Sequence, residues 1–158
     1  MLQPLMHKLA SQRIILASGS PRRKIILENI GLKFEIIPST FDENLNKSEF
    51  DTPSDYVKQT ALGKAMEVAK RLAGDVRPPD LIIGADTIVT MDDKIIEKPA
   101  NKQHAFDLLK MDKAGGYGIQ EAGGTLISKV NGDYFNVMGF PLHKFAKHVV
   151  ELHKKGYL

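Results

Sequence analysis

The chain has 158 residues, 42% of them hydrophobic, which suits one domain with a single buried core. Its net charge of +3 comes from 22 basic and 19 acidic residues that are interspersed, so charge alone does not favour a nucleic-acid-binding protein. Cysteine is absent and no run approaches the roughly 20 apolar residues of a membrane span, which excludes thiol chemistry, disulfides and membrane insertion. We therefore expect one soluble, cytoplasmic domain over residues 1–158.

The N-terminal half of the chain predicts strands and helices in alternation. Ser20 followed by Pro21 is typical of a helix N-cap and first helical position, and Thr52 followed by Pro53 repeats this pattern. The longer helix carries one apolar stripe, made of Val57, Ala61, Ala65, Val68 and Leu72. The predicted elements are a strand at residues 13–17, a helix from 21 to about 30, a strand at 34–37, a loop at 38–51 and a helix from 53 to just before 74.

The C-terminal half continues the alternation. Its most hydrophobic segment, residues 81–91, predicts a central strand. The elements that follow are a turn at 92–93, a short strand at 94–96, a helix at 101–111, a glycine-rich loop at 115–124, a strand at 125–130, a turn at 131–132 and an amphipathic helix at 141–155. Alternating strands and helices indicate an α/β layer architecture.

Two adjacent arginines, Arg22 and Arg23, occupy the first turn of a predicted helix, where the helix dipole disfavours cations. Free backbone N–H groups and two guanidinium groups at a strand-to-helix turn would hold phosphate oxygens well. The alternative is that both arginines are solvated on an exposed turn.

Asp86 interrupts the apolar run, and a carboxylate in such a place must be paired, hydrogen-bonded or bound to a metal. Gly84 lies two residues earlier and would let a ligand approach the backbone closely. Thr87 points to the opposite side if the strand is regular. The alternative is that the strand ends before Asp86 and leaves its carboxylate in solvent.

Lys64 falls on the inward stripe of its helix, which is unusual for a cation. It either reaches past the apolar face to solvent or points into a cleft at an anion or a carboxylate such as Glu43. Lys98 and the scattered histidines are less informative. The sequence has no P-loop, no dinucleotide-binding glycine motif and no nucleophile elbow.

Several short motifs occur together in this chain. They are Leu-Ala-Ser-Gly-Ser-Pro-Arg-Arg at 16–23, Asp-Glu at 42–43, Lys-Ala at 64–65, Gly-Ala-Asp-Thr-Ile-Val at 84–89, Glu-Lys-Pro at 97–99, Asp-Lys-Ala-Gly-Gly-Tyr-Gly-Ile-Gln at 112–120 and Val-Met-Gly-Phe-Pro-Leu at 137–142. In order and detail they resemble the Maf family of nucleotide pyrophosphatases, in particular the Maf domain that animals fuse to a methyltransferase-like domain.

The resemblance implies a mixed sheet flanked by helices, as in the Maf and inosine triphosphatase folds, and hydrolysis of dTTP, UTP, CTP or modified forms to the monophosphate and pyrophosphate. It implies that Asp86 is the general base and that Glu43 helps to hold a divalent metal, Mg²⁺ or Mn²⁺, or the water. By the same resemblance, Arg22, Arg23, Lys64 and Lys98 neutralise the triphosphate, while Ser18, Thr87 and Gln120 contact the phosphates or the base. Arg22, Thr87 and Gln120 are the positions associated with substrate choice.

One departure from the family stands at Lys110-Met111-Asp112. In the family, a further stretch of strands and a helix separates the predicted helix at 101–111 from the Asp-Lys-Ala-Gly motif, and here the two ends join directly. The resemblance therefore implies a shortened sheet with exposed edges. The alternative to an active enzyme is a truncated or splice-variant protein that only binds nucleotides or partners. A homodimer is left open, and nucleic acid is not expected, because no basic patch is interleaved with aromatic residues.

Overall fold

The protein's computed structural model describes residues 2–92, 94–96, 119, 124–125 and 127–158. The helix predicted at 101–111 and most of the glycine-rich loop predicted at 115–124 lie outside these residues.

The main sheet of the described chain is parallel and has the strand order β2-β1-β3. Its strands are β1 (Ile14–Leu16), β2 (Glu35–Ile36) and β3 (Leu81–Ile83). The register pairs Ile15 of β1 with Glu35 on one side and with Ile82 on the other. Because parallel strands end at the same edge of a sheet, the loops that follow β1 and β3 meet there.

Helices cover both faces of this sheet. They are α1 (Met6–Leu9), α2 (Pro21–Asn29), α3 (Pro53–Leu72), α4 (Tyr134–Met138) and α5 (Leu142–Lys154), with 3₁₀ turns at Gln3–Leu5 and Lys47–Glu49. On one face, Ile14 and Leu16 pack with residues of α2 and α5 in the larger core. On the other face, Ile15 and Ala17 pack against Val68 and Leu72 of α3. The predicted α/β architecture is confirmed, with a small sheet.

Helix α3 begins where the sequence predicts, because the Thr52 side chain caps it by accepting a hydrogen bond from the Asp55 amide. Its buried face is offset by one residue from the predicted stripe for most of its length. The buried side chains are Tyr56, Thr60, Lys64, Val68 and Leu72. Lys64 therefore lies in the middle of the buried face, and the alternative that it reaches solvent is wrong.

The single strand predicted at 81–91 is wrong. β3 ends at Ile83, and the chain then leaves the sheet to form β4 (Val89–Met91), which pairs antiparallel with β5 (Lys94–Ile96) in a separate two-stranded sheet. A run of apolar residues indicates that a segment is buried. It does not indicate where the chain stops pairing with one strand and begins to pair with another. The turn predicted at 92–93 is confirmed at Asp92, whose φ of 49° is left-handed.

The strand predicted at 125–130 is also wrong. The Ile127 amide donates to the Gly124 carbonyl at 3.2 Å, which is a turn, and residues 127–130 are not in a strand. A strand needs a hydrogen-bonded neighbour, and no described strand pairs with this segment. The sequence pattern also does not predict α4, which Asp133 caps at its start and Gly139 ends with a φ of 117°.

Candidate active site

A cavity of about 990 Å³ opens at the edge of the parallel sheet where β1 and β3 end. Its walls come from the loop after β1, the start of α2, the middle of α3, the loop after β3 and the turn between α4 and α5. Ligand sites of α/β proteins are commonly found at this end of the strands. The topology therefore brings segments that are far apart in sequence to one cleft.

Lys64 is the centre of a three-membered charge cluster. Its Nζ lies 2.8 Å from Asp86 Oδ1 and 2.9 Å from Glu43 Oε1. The side chains of Lys64 and Asp86 are only 9% and 11% exposed, whereas that of Glu43 is 51% exposed. Among the described residues, the second oxygen of either carboxylate has no other partner.

Asp86 reaches this position because the chain turns out of the sheet after β3. At Gly84 the backbone packs directly on α3, where an added Cβ would overlap the Ala61 carbonyl and come within 2.9 Å of Ala65 Cβ. The sequence predicts a close approach of a ligand at Gly84, but helix α3 occupies this position instead. This packing holds the loop that carries Asp86 against the helix that carries Lys64.

Arg23 joins three segments of the cleft from a buried position. Its Nε donates to the Gly139 carbonyl at 3.0 Å, Nη1 to Ser18 Oγ at 2.8 Å and Nη2 to Thr87 Oγ1 at 3.0 Å. Burial lowers the pKa of this guanidinium below its usual value, and the negative charges of Asp86 and Glu43 oppose that shift.

Arg22, the neighbouring residue, is exposed at the mouth of the same cavity. Its guanidinium makes no hydrogen bond or ion pair with any residue that the structure describes. Together with Arg23 and Lys64, it gives the described lining three cations against the carboxylates of Glu43 and Asp86. The cleft therefore favours an anionic ligand.

Among the described residues, Glu43 and Asp86 are the carboxylates that line the cavity. Carboxylate oxygens are the ligands that a hard cation such as Mg²⁺ prefers. The part of the chain that the structure describes holds no group of three or more His, Cys, Asp or Glu side chains placed for a metal. Two carboxylates match Mg²⁺ only if phosphate oxygens and water complete its shell, which is how this ion is usually held beside nucleotides. The donor set thus fits a metal that arrives with its substrate.

The structure brings together most of the side chains that the sequence predicts for the site. Those that line the cavity are Ser18, Arg22, Arg23, Glu43, Lys64, Asp86 and Thr87. Lys98 and Gln120 lie outside the described residues. Three further residues line the cavity without being predicted for the site: Gly139, which belongs to the motif at 137–142, Ser39 and Asn136. None of the described helices is long and apolar enough to cross a membrane.

Known proteins resemble this chain over most of its length. A family model described as Maf-like protein matches residues 13–111 and 109–152. A probable bifunctional dTTP/UTP pyrophosphatase/methyltransferase protein of Homo sapiens is 40% identical over 210 residues, which cover 96% of this chain and 34% of the relative. A dTTP/UTP pyrophosphatase of Clostridium perfringens (strain 13) is 36% identical over 186 residues, with 85% and 94% covered. A dTTP/UTP pyrophosphatase of Schizosaccharomyces pombe is 32% identical over 217 residues, with 98% and 90% covered.

These alignments also locate a missing segment. The chain spans about a third of the human relative, yet all three aligned stretches are longer than its own 158 residues, so the relatives contain residues that it lacks. The family model matches in two pieces that meet at residues 109–111. The comparisons therefore agree with the junction that the sequence predicts at Lys110-Met111-Asp112.

Proposed function

Given that the chain belongs to the Maf family, we propose that its cleft binds a pyrimidine nucleoside triphosphate, such as dTTP, UTP or CTP, and hydrolyses it to the monophosphate and pyrophosphate. The observation that carries this proposal is the contact of Lys64 with Asp86 and Glu43 in a cleft that also holds Arg22 and Arg23. Cleavage of a phosphoanhydride needs a carboxylate that accepts a proton from water and cations that stabilise the negative charge on the phosphates, and this cleft holds both.

In the proposed reaction, Asp86 accepts a proton from a water molecule whose oxygen attacks the α-phosphorus. The bond between the α-phosphorus and the oxygen that bridges it to the β-phosphorus breaks, and pyrophosphate leaves with the electron pair. Lys64 holds the Asp86 carboxylate in place through the 2.8 Å contact and stabilises the negative charge that builds up on the phosphates. Arg22, at the mouth of the cleft, binds the phosphate chain.

Glu43 and Asp86 would hold Mg²⁺ or Mn²⁺, which supplies Lewis-acid neutralisation of the phosphates when bound. Ser18 and Thr87 line the same cavity and contact the phosphates or the base. By their motifs, Lys98 would bind the phosphate chain and Gln120 would contribute to substrate choice. A single domain, a cytoplasmic location and a homodimer stay predictions.

The test is release of pyrophosphate from dTTP, UTP and CTP with Mg²⁺ or Mn²⁺, by the unmodified chain and by Asp86→Asn. Loss of a general base lowers turnover by about 10²- to 10⁴-fold, so kcat should fall at least a hundredfold. Asp42→Asn is the matched control, because Asp42 is exposed, and an Asn oxygen can still accept its hydrogen bond from the Asn44 amide. Equal turnover by Asp86→Asn and Asp42→Asn would remove Asp86 as the base.

A second candidate function is nucleotide binding without turnover. It is favoured by the junction at residues 109–111, because the relatives named pyrophosphatases have an additional segment there that this chain lacks. Under this alternative, UTP raises the thermal unfolding temperature of the chain and no pyrophosphate appears. A ligand at a hundred times its Kd stabilises a fold by about 2.7 kcal/mol, which thermal unfolding detects readily.

A further inference from the structure

The two adjacent arginines of α2 have different environments. We infer that Arg23 is a positioning residue that fixes three loops of the cleft relative to one another, and that Arg22 is the arginine of the pair that binds phosphate. This inference rests on the proposed function and separates two arginines to which the resemblance assigns the same task of neutralising the triphosphate.

The hydrogen bonds of Arg23 carry the argument. Each of its three guanidinium nitrogens is engaged with a different segment: Ser18 in the loop after β1, Thr87 in the loop after β3, and Gly139 in the turn between α4 and α5. The residue is only 8% exposed. These three acceptors lie within 3.0 Å and offset the free-energy cost of burying the charge, so Arg23 needs no ligand to stabilise it.

The network closes on itself at Thr87. Thr87 Oγ1 accepts from Arg23 and donates to the same Gly139 carbonyl at 3.2 Å, so Arg23, Thr87 and Gly139 form a ring of hydrogen bonds. Thr87 is covalently next to Asp86. Loss of the ring therefore shifts the carboxylate that accepts the proton, while the exposed cation at the mouth of the cleft remains.

Arg22 has the opposite environment. One residue along a helix turns the side chain by about 100°, which takes Arg22 out of the interior and to the mouth of the cavity. It stands in the first turn of α2, where the helix dipole disfavours a cation, and no described residue offsets that cost. A phosphate group bound to Arg22 would offset this cost.

The experiment replaces each arginine by glutamine and by lysine. Arg22→Gln should raise KM for UTP on the order of tenfold and leave kcat nearly unchanged, and Arg22→Lys should restore most of the affinity, since a lysine ammonium also binds phosphate. Arg23→Gln should lower kcat on the order of tenfold with little change in KM. Arg23→Lys should be no better, because an ammonium cannot reproduce the planar fork that meets three separate acceptors.

Two further measurements keep the inference testable. Thr87→Val removes one member of the ring with little change in shape, and it should lower kcat by a larger factor than it weakens the binding of inorganic triphosphate. If Arg23→Gln does not fold, this variant alone decides. If the unmodified chain releases no pyrophosphate, the proposed function fails, and calorimetry with inorganic triphosphate still compares the arginines: Arg22→Gln should weaken binding and Arg23→Gln should not.

Recovery of both turnover and triphosphate affinity in Arg23→Lys would overturn the inference, because a transferable charge would then explain Arg23. Equal losses of triphosphate affinity in Arg22→Gln and Arg23→Gln would overturn it as well.

Discussion

Replacement of Lys64 by methionine tests the charge cluster directly. Methionine has nearly the length of lysine and no charge, so Lys64→Met keeps the packing of α3 and removes the cation. Asp86 and Glu43, whose oxygens lie 2.8 and 2.9 Å from Nζ, would then share one end of the cleft without a positive partner between them.

The structure sets the size of the effect. Removal of one partner from a fully buried ion pair costs about 3–5 kcal/mol, because it leaves the other charge uncompensated. Asp86 is only 11% exposed and comes close to that limit, whereas Glu43 is 51% exposed and solvent screens much of its share. We expect a loss near the lower end, about 3 kcal/mol, or roughly 6–12 °C in Tm for a chain of this size.

Urea unfolding at pH 7 measures this loss, and Lys58→Met on the same helix is the matched control. Lys58 is 71% exposed and lies 3.4 Å from Asp55, so its removal should change stability by no more than about 0.5 kcal/mol. The double variant Lys64→Met/Asp86→Asn should regain much of the loss, since little uncompensated charge then stays buried. If Lys64→Met unfolds at the same urea concentration as Lys58→Met, the cluster does not hold the cleft together.

Three further changes test other parts of the structure. Gly84→Ala places a methyl group on the backbone of α3 and should cost about 1–3 kcal/mol in urea unfolding, whereas Gly74→Ala, with open space around it, should cost far less. Thr52→Ala removes the N-cap of α3 and should cost about 1 kcal/mol by the same assay, and a loss below a few tenths would argue against the cap. Hydrogen bonds from Ser39 and the Thr40 amide lower the pKa of Glu67, so its stabilising effect should be present above its ordinary pKa of 4.5 and vanish as the pH falls through the lower folded value. The difference in unfolding free energy between the unmodified chain and Glu67→Gln should therefore shrink on acidification, and a difference independent of pH would contradict this.

The sequence predicts the local features of this fold well. Helices α2 and α3 begin at Pro21 and Pro53 as predicted, because these start signals lie next to each other in the chain. The Thr52 side chain caps α3, whereas Ser20 stands at the N-cap position of α2 without a capping hydrogen bond from its side chain. Lys64 was recognisable as unusual because a cation on an apolar stripe needs a partner, and the structure supplies two. Such signals are contained within a single helix.

The errors arise where partners are distant in sequence. The end of β3 depends on how Gly84 packs against α3, which no hydrophobic pattern reveals. Arg22 and Arg23 are chemically identical and adjacent, so only the fold determines which of them is buried. The carbonyl of Gly139 has no side-chain signature at all, although it accepts hydrogen bonds from Arg23 and Thr87.

The link between Arg23 and Gly139 also bears on how the chain folds. It joins residues that are 116 positions apart, so the cleft cannot close until synthesis has reached the turn before α5. The hydrogen bond from Thr87 to the same carbonyl joins residues 52 positions apart. Contacts between residues so far apart form more slowly than local ones, so closure of the cleft should follow the formation of the helices.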